Sequence, residues 1–329
     1  MAQLRASLRA ALETTRLGMV AGIVSEVWLV LLLTRADPRY SYLRVADLPI
    51  MAALACTAAA AIGLFAFGAA LNDFLDSRHD RAFSPHRAIP AGQLRPPQVL
   101  VIALCALLVA LLASVMLDRA AVLLAIGAAT GIVLFDAAAK HMPGVGLVVL
   151  GLVHATTMMI PNAELTFTLP VWLAMTHAIV VAEAARRLRQ ARPELTPRAT
   201  VIAVCGWLAF SVLLVGGGIW RDAGSWRDGG AGWFPRSSAQ VLAPVVIAVI
   251  GFTALAIFKF RNTSGPAAAA RLLRYGALWQ STYAAAWLVG AGLIPEAAAI
   301  AAFAAIALLV ASLARGTALD AFGRISWRG

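Results

Sequence analysis

The sequence predicts an all-α, polytopic transmembrane helical bundle of nine to ten spans, forming a single domain over residues 1–329. Three observations carry that expectation. Hydrophobic residues make up 61% of the chain and charged residues 13%, a balance foreign to water-soluble chains of this length. Apolar runs of about 20 residues recur along it, which is the length a helix needs to cross a hydrocarbon core of about 30 Å. The 27 basic residues, all arginine except Lys140 and Lys259, cluster at the ends of those runs, where loop charge belongs. The net charge of +11 is therefore loop charge. No basic run with interleaved aromatics is present, so nucleic-acid binding is set aside. Cys56, Cys105 and Cys205 lie far apart inside apolar runs, which indicates neither a disulfide framework nor a metal knuckle and suggests packing roles.

The runs fall near 17–34, 48–71, 98–117, 119–138, 144–161, 168–188, 199–220, 239–258, 274–292 and 294–313. Arg5, Arg9, Glu13 and Arg16 precede the first run without a small-residue cleavage site, so that run is expected to stay as an uncleaved span. Gly292, Pro295 and Glu296 separate the last two, and the choice between nine and ten spans rests on them. A cytoplasmic N-terminus places most basic residues inside, including those of the long polar connection 72–97, Lys140, the arginines at 186–198, and Lys259 to Arg274. The outward connections carry little charge. The exception is 221–236, where Asp222, Arg227 and Asp228 sit among glycine and tryptophan, which reads as an interfacial loop. Small residues in the spans, such as Gly127 and Gly131, permit close helix packing in lipid.

The chemically informative segment follows the second run: Asn72, Asp73, Phe74, Leu75, Asp76, Ser77, Arg78, His79, Asp80. Asp73, Asp76 and Asp80 stand at i, i+3 and i+7 on one helical face, with Asn72 four residues before Asp76. Like charges gathered at a membrane helix end suggest a cation between them. Hard oxygen ligands suit Mg²⁺, which is held by one or two carboxylates together with substrate phosphates, so a diphosphate is the expected ligand. The plain alternative is a solvated acidic helix end neutralised by Arg78 and Arg81. Downstream, Arg87 precedes Ala88-Ile89-Pro90-Ala91-Gly92, a turn able to aim Arg87 back at the aspartates, and an arginine fork matches phosphate oxygens.

Asn-Asp-x-x-Asp-x-x-x-Asp after the second span, followed by Arg-x-Ile-Pro-x-Gly, resembles the UbiA superfamily of intramembrane prenyltransferases. Phe135-Asp136-Ala137-Ala138-Ala139-Lys140-His141 resembles the Tyr-Asp-x-x-x-Lys-His stretch of that superfamily's EboC-like branch. The resemblance implies a helical bundle with cytoplasmic loops capping a central cavity, and Mg²⁺-dependent transfer from a polyprenyl diphosphate to a hydrophobic acceptor, in the cell's inner membrane with the active face cytoplasmic. By that likeness Asp73, Asp76 and Asp80 are the catalytic metal ligands, and Asn72 orients a carboxylate or ligates directly. Arg87 and Lys140 bind phosphate oxygens.

The chain departs from the family after the sixth span, where most members carry a second aspartate-rich motif. Here the stretch 177–189 holds one carboxylate, Glu183, with Arg186, Arg187 and Arg189. In one reading Glu183 holds a second ion while Arg186, Arg187 and Arg189 neutralise diphosphate charge; in another the arginines are positive-inside anchors; in a third, catalysis is altered or lost. Glu26, His154, His177 and Glu183 are polar groups in apolar runs and candidates for an acceptor pocket. A UbiA-type terpene cyclase, or a non-catalytic lipid or pigment carrier that kept the fold, are the competing functions.

Overall fold

The computed structural model describes residues 20–85, 87–227 and 239–322, without side chains at 224–227 and 311–322. Each apolar run becomes one long helix: α1 (Ala21–Ala36), α2 (Ile50–Leu75), α3 (Pro96–Leu117), α4 (Arg119–Ala137), α5 (Pro143–Met158), α6 (Leu169–Arg189), α7 (197–227), α8 (Ala239–Phe260), α9 (Pro266–Gly290) and α10 (Ile294–Phe322). Five of them, α2, α3, α4, α7 and α8, are individually long and apolar enough to cross a membrane. The break expected at Gly292 to Glu296 is present, since α9 ends at Gly290 and α10 starts at Ile294.

Local chemistry explains the boundaries. Proline stands in the first turn of α3, α5, α6, α7 and α9, where its missing N–H costs nothing and its fixed φ suits a helix start. Asp118 caps α4 by accepting from Ala121 N at 2.6 Å, and Thr196 caps α7 by accepting from Ala199 N at 3.2 Å. Inside α7, Val212–Gly216 widens to a π turn, and the Leu214 carbonyl accepts from Thr168 Oγ1 at 3.0 Å, a partner from outside the helix.

Helices α1, α2, α4, α5, α6 and α9 touch in succession and return to α1, closing a circuit; α3 packs on α2 and α4, α7 on α5, α8 on α9, and α10 on α9 and α1. The closure between α9 and α1 depends on a small residue, because a Cβ at Gly22 would collide with the Ala277 carbonyl. Two apolar cores meet along α1. One is built from α2, α3 and α4 on alanines such as Ala60, Ala103 and Ala110, and the other from α5, α6, α8 and α9 on Met158, Met175, Leu272 and Leu288.

Two sequence expectations are corrected. The segment 221–236 is not an interfacial loop from its start: α7 continues to Arg227, and 228–238 lies outside the described residues. Asp222 is buried there and pairs with Arg39 at 2.8 Å. Arg39 also pairs with Asp37 at 2.8 Å, and these two carboxylates hold its guanidinium well above the ordinary arginine pKa. The cysteines are not uniformly packed, since Cys105 and Cys205 are exposed and Cys56 is half-buried; thiols facing lipid meet an apolar solvent and need no core.

Candidate active site

The polar end of α2 is assembled from three separate stretches of chain. The alanine-rich run of α2 favours helix throughout and continues to Leu75; Asp76 is a single non-helical residue (φ −82°, ψ 2°), and a short helix, Ser77–Phe83, follows at once. Because Asp76 N still bonds Asn72 O at 2.9 Å and Asp80 N bonds Asp76 O at 2.8 Å, the helical spacing survives the interruption. At 100° per residue, Asp73 and Asp80 lie about 20° apart around the axis, while Asn72 and Asp76 sit to one side, about 40° from each other. The stripe expected from spacing is thus two adjoining pairs, and each pair has its own cation.

Arg87 serves the first pair. Its Nη1 donates to Asp80 Oδ2 at 2.7 Å and to Asp73 Oδ1 at 3.4 Å. The turn that returns it is held by Gln93 N and Leu94 N, both donating to Ala88 O, and by Gly92 at φ +70°, a left-handed conformation that favours glycine. Ala88, Ile89 and Leu94 are buried in the α2–α4 core, so packing fixes the arginine's approach. His86 lies outside the described residues. Lys140 serves the second pair: α4 ends at Ala137, a 3₁₀ turn spans Ala139–His141, and Lys140 Nζ reaches across to Asp76 Oδ1 at 2.7 Å and Asn72 Oδ1 at 3.1 Å. The two motifs quoted from the sequence therefore meet in space, with Asp73 and Asp80 buried and Asp76 half-buried.

Among the described residues, no three His, Cys, Asp or Glu side chains come together closely enough to enclose a metal ion. The residues nevertheless suit Mg²⁺. Oxygens of Asp73 and Asp80 converge on one cationic nitrogen of Arg87, so the same two carboxylates could face a divalent ion in its stead. Two carboxylates completed by ligand phosphates is the usual Mg²⁺ arrangement.

The end of α6 is built differently. Glu183 Oε1 accepts from Arg187 Nε at 2.7 Å, and Arg186 Nε lies 3.9 Å from Glu183 Oε2, while Arg186 Nη2 donates to the Pro193 carbonyl at 2.7 Å. Glu183 is thus engaged by its own helix at i+3 and i+4, and Arg187 is 75% exposed.

The four residues expected to line an acceptor pocket fall in separate places. Glu26 and His154 come together, with His154 Nδ1 3.8 Å from Glu26 Oε2. Glu26, Leu29, Met158, Ala174, Gln280, Tyr283 and Trp287 border a void of about 10 Å³. His177 instead bonds Gly276 O at 3.1 Å, packs on Phe252 and Tyr283, and lines a groove of about 610 Å³ between α6, α8 and α9. Arg187 borders that groove as well, whereas Glu183 does not. Tyr283 borders both spaces. Sequence reading passed over Gln280, Tyr283 and Trp287, although with Gly276 they stand at i, i+4, i+7 and i+11, an inward stripe on an otherwise apolar helix.

Residues 41–215, more than half of the chain, match the model of the UbiA prenyltransferase family. A solved structure of a digeranylgeranylglyceryl phosphate synthase shares the fold, with a TM-score of 0.51 at 16% identity, over 87% of this chain and 98% of that one. No curated protein matches the chain. The matched residues include both side-chain pairs at the α2 end and the cations that hold them, and so the chain belongs to the UbiA prenyltransferase family, as a multi-pass, all-helical membrane protein.

Proposed function

We propose that this chain is a Mg²⁺-dependent intramembrane prenyltransferase that moves a prenyl group from a polyprenyl diphosphate to a lipophilic acceptor, with its acidic helix end on the cytoplasmic side of the cell's inner membrane. The observation that carries the reading is the convergence of Asp73 and Asp80 on Arg87 beside Asp76 on Lys140. Two carboxylates facing one cation and two basic side chains free to exchange partners form a site complementary to a metal–diphosphate pair. Bound Mg²⁺ supplies charge neutralisation of the departing diphosphate. Asp73, Asp76 and Asp80 would hold the ion, and Asn72 shares Lys140 with Asp76 until substrate arrives. Arg87 and Lys140 would turn from carboxylate to phosphate oxygens as substrate arrives, stabilising charge that grows as the carbon–oxygen bond breaks. Glu183, Arg186 and Arg187 would stand at the rim, and the apolar interior keeps water from the allylic cation.

The test is diphosphate release from the purified protein in lipid, using geranyl, farnesyl and geranylgeranyl diphosphates with and without Mg²⁺, beside Asp76→Ala. Release that needs both the metal and Asp76 is the expected result; release unaffected by either rejects the reading. The engagement of Glu183 by Arg187 favours one second reading, a binding protein without turnover. Saturable diphosphate binding with no release under any condition would establish it.

A further inference from the structure

Three polar groups from three helices are left without partners deep in the bundle. Both carboxylate oxygens of Glu26 on α1, Nδ1 of His154 on α5 and Nε1 of Trp287 on α9 are buried and make no hydrogen bond. Glu26 is 2% exposed and Trp287 3%. The 3.8 Å between His154 and Glu26 is too long to count as one. Neighbouring polar side chains are matched: Ser25 Oγ donates to Ala21 O at 2.8 Å and lies 2.9 Å from Ser281 Oγ, and Gln280 Nε2 donates to Ala174 O at 3.5 Å. Among the described residues one other buried side-chain atom is unmatched, Glu183 Oε2 at the end of α6; the rest of the deficit gathers at the void that Glu26 and Trp287 both border, with His154 beside Glu26. Buried polar groups are almost always satisfied, and an unsatisfied cluster needs an explanation.

The chemistry of the orphans selects a ligand. Glu26 offers two acceptors and Trp287 one donor, and a hydroxyl, one O–H with lone pairs behind it, answers both at once. A carboxylate or phosphate would be repelled by Glu26, an ammonium has nothing to accept from Trp287, and an ether or ketone has nothing to give Glu26. A void of about 10 Å³ admits about one oxygen atom, and Tyr283 on its border also lines the groove of about 610 Å³, which has room for an apolar body. We propose that Glu26 and Trp287, with His154 beside Glu26, form the seat of the hydroxyl of a lipophilic alcohol or phenol, its O–H donating to Glu26 and its oxygen accepting from Trp287. Calling that molecule the prenyl acceptor rests on the function proposed above; the hydroxyl site itself does not.

The experiment compares equilibrium binding of 4-nonylphenol and its methyl ether to the full chain in lipid nanodiscs, corrected for uptake by empty discs. The phenol is expected to bind at least tenfold more tightly than the ether. Glu26→Leu should make the two equal, and Trp287→Phe, which removes one N–H donor, should narrow the preference severalfold. Equal binding of phenol and ether to the unaltered chain, or no binding of either, overturns the proposal and assigns the void to water. So does a preference that persists undiminished in Trp287→Phe, the variant that decides the matter if Glu26→Leu fails to assemble. Asp76→Ala should keep the phenol preference. If diphosphate release proves independent of Asp76 while that preference stands, the catalytic reading fails and the hydroxyl site survives.

Discussion

The ends of α2 and α6 face the same problem, charge at the rim of an apolar bundle, and solve it in opposite ways. At α2 the carboxylates lie in one stretch and their cations arrive from elsewhere, Arg87 by a buried turn and Lys140 from a helix end 64 residues away in sequence. At α6 the single carboxylate, Glu183, is met by arginines three and four residues along the same helix. Partners at i+4 form on any exposed helix and contribute about 0.3–0.5 kcal/mol. Partners imported from two other segments require the tertiary fold to hold them, and such expense is characteristic of a site. The contrast favours the proposed chemistry at α2, with α6 as a supporting rim.

The sharpest way to break that contrast is Asp73→Ala or Asp76→Ala, each expected to lower diphosphate release by about 10²–10³-fold or more while the protein still folds in lipid. Activity within a few-fold of the unaltered protein would put the chemistry elsewhere. Lys140→Met removes the cation from Asp76 and Asn72 and is expected to weaken diphosphate turnover by about 10–100-fold, the worth of one or two hydrogen bonds to a charged group, read as kcat/KM. Asp222→Asn cuts the Arg39 pair on the far side of the bundle, with an expected loss of about 1–3 kcal/mol in unfolding free energy and unchanged diphosphate kinetics. Arg187→Ala should have the smallest effect, under about threefold in kcat/KM and a few tenths of a kcal/mol in stability; a loss near that of Lys140→Met would promote the α6 end to a diphosphate ligand.

The helices were legible in the sequence because each is an apolar run of about 20 residues; the boundaries were less so, since α9 starts at Pro266 and not near 274, and α7 and α10 run on to Arg227 and Phe322. The α2 cluster was legible for a related reason: its acidic residues lie within nine positions of one another, so helical spacing alone groups them. That spacing could not reveal the split into two pairs, which depends on where Arg87 and Lys140 arrive. Lys140 became a candidate only through the family resemblance, since nothing local points it at Asp76. Glu26 and His154 were each noticed as costly polar groups, but their proximity is a property of how α1 meets α5, 128 residues later. Trp287 was hidden for another reason, because an indole in an apolar helix reads as packing until its N–H is found unmatched. Arg39 and Asp222 were missed as a pair because 183 residues separate them and each resembles ordinary loop charge.

The circuit of helices also implies an order of assembly. Helix α1 is made early and its closing partner α9 late, with Ser25 and Ser281 meeting across 256 residues of chain. Throughout the synthesis of the intervening helices Glu26 has neither Trp287 nor Gln280 beside it. A charged group at the centre of an isolated membrane helix raises the free energy of insertion by about 2.5–3.5 kcal/mol, so α1 enters the bilayer poorly as a solitary helix. It gains a stable seat when α2 and α5 arrive, and Glu26 is sealed from lipid only when α9 docks and brings Gly22 against the Ala277 carbonyl. A ribosome-bound chain cut short before residue 266 would hold this carboxylate in an open cleft, and biogenesis of the protein would be most exposed to failure in that interval.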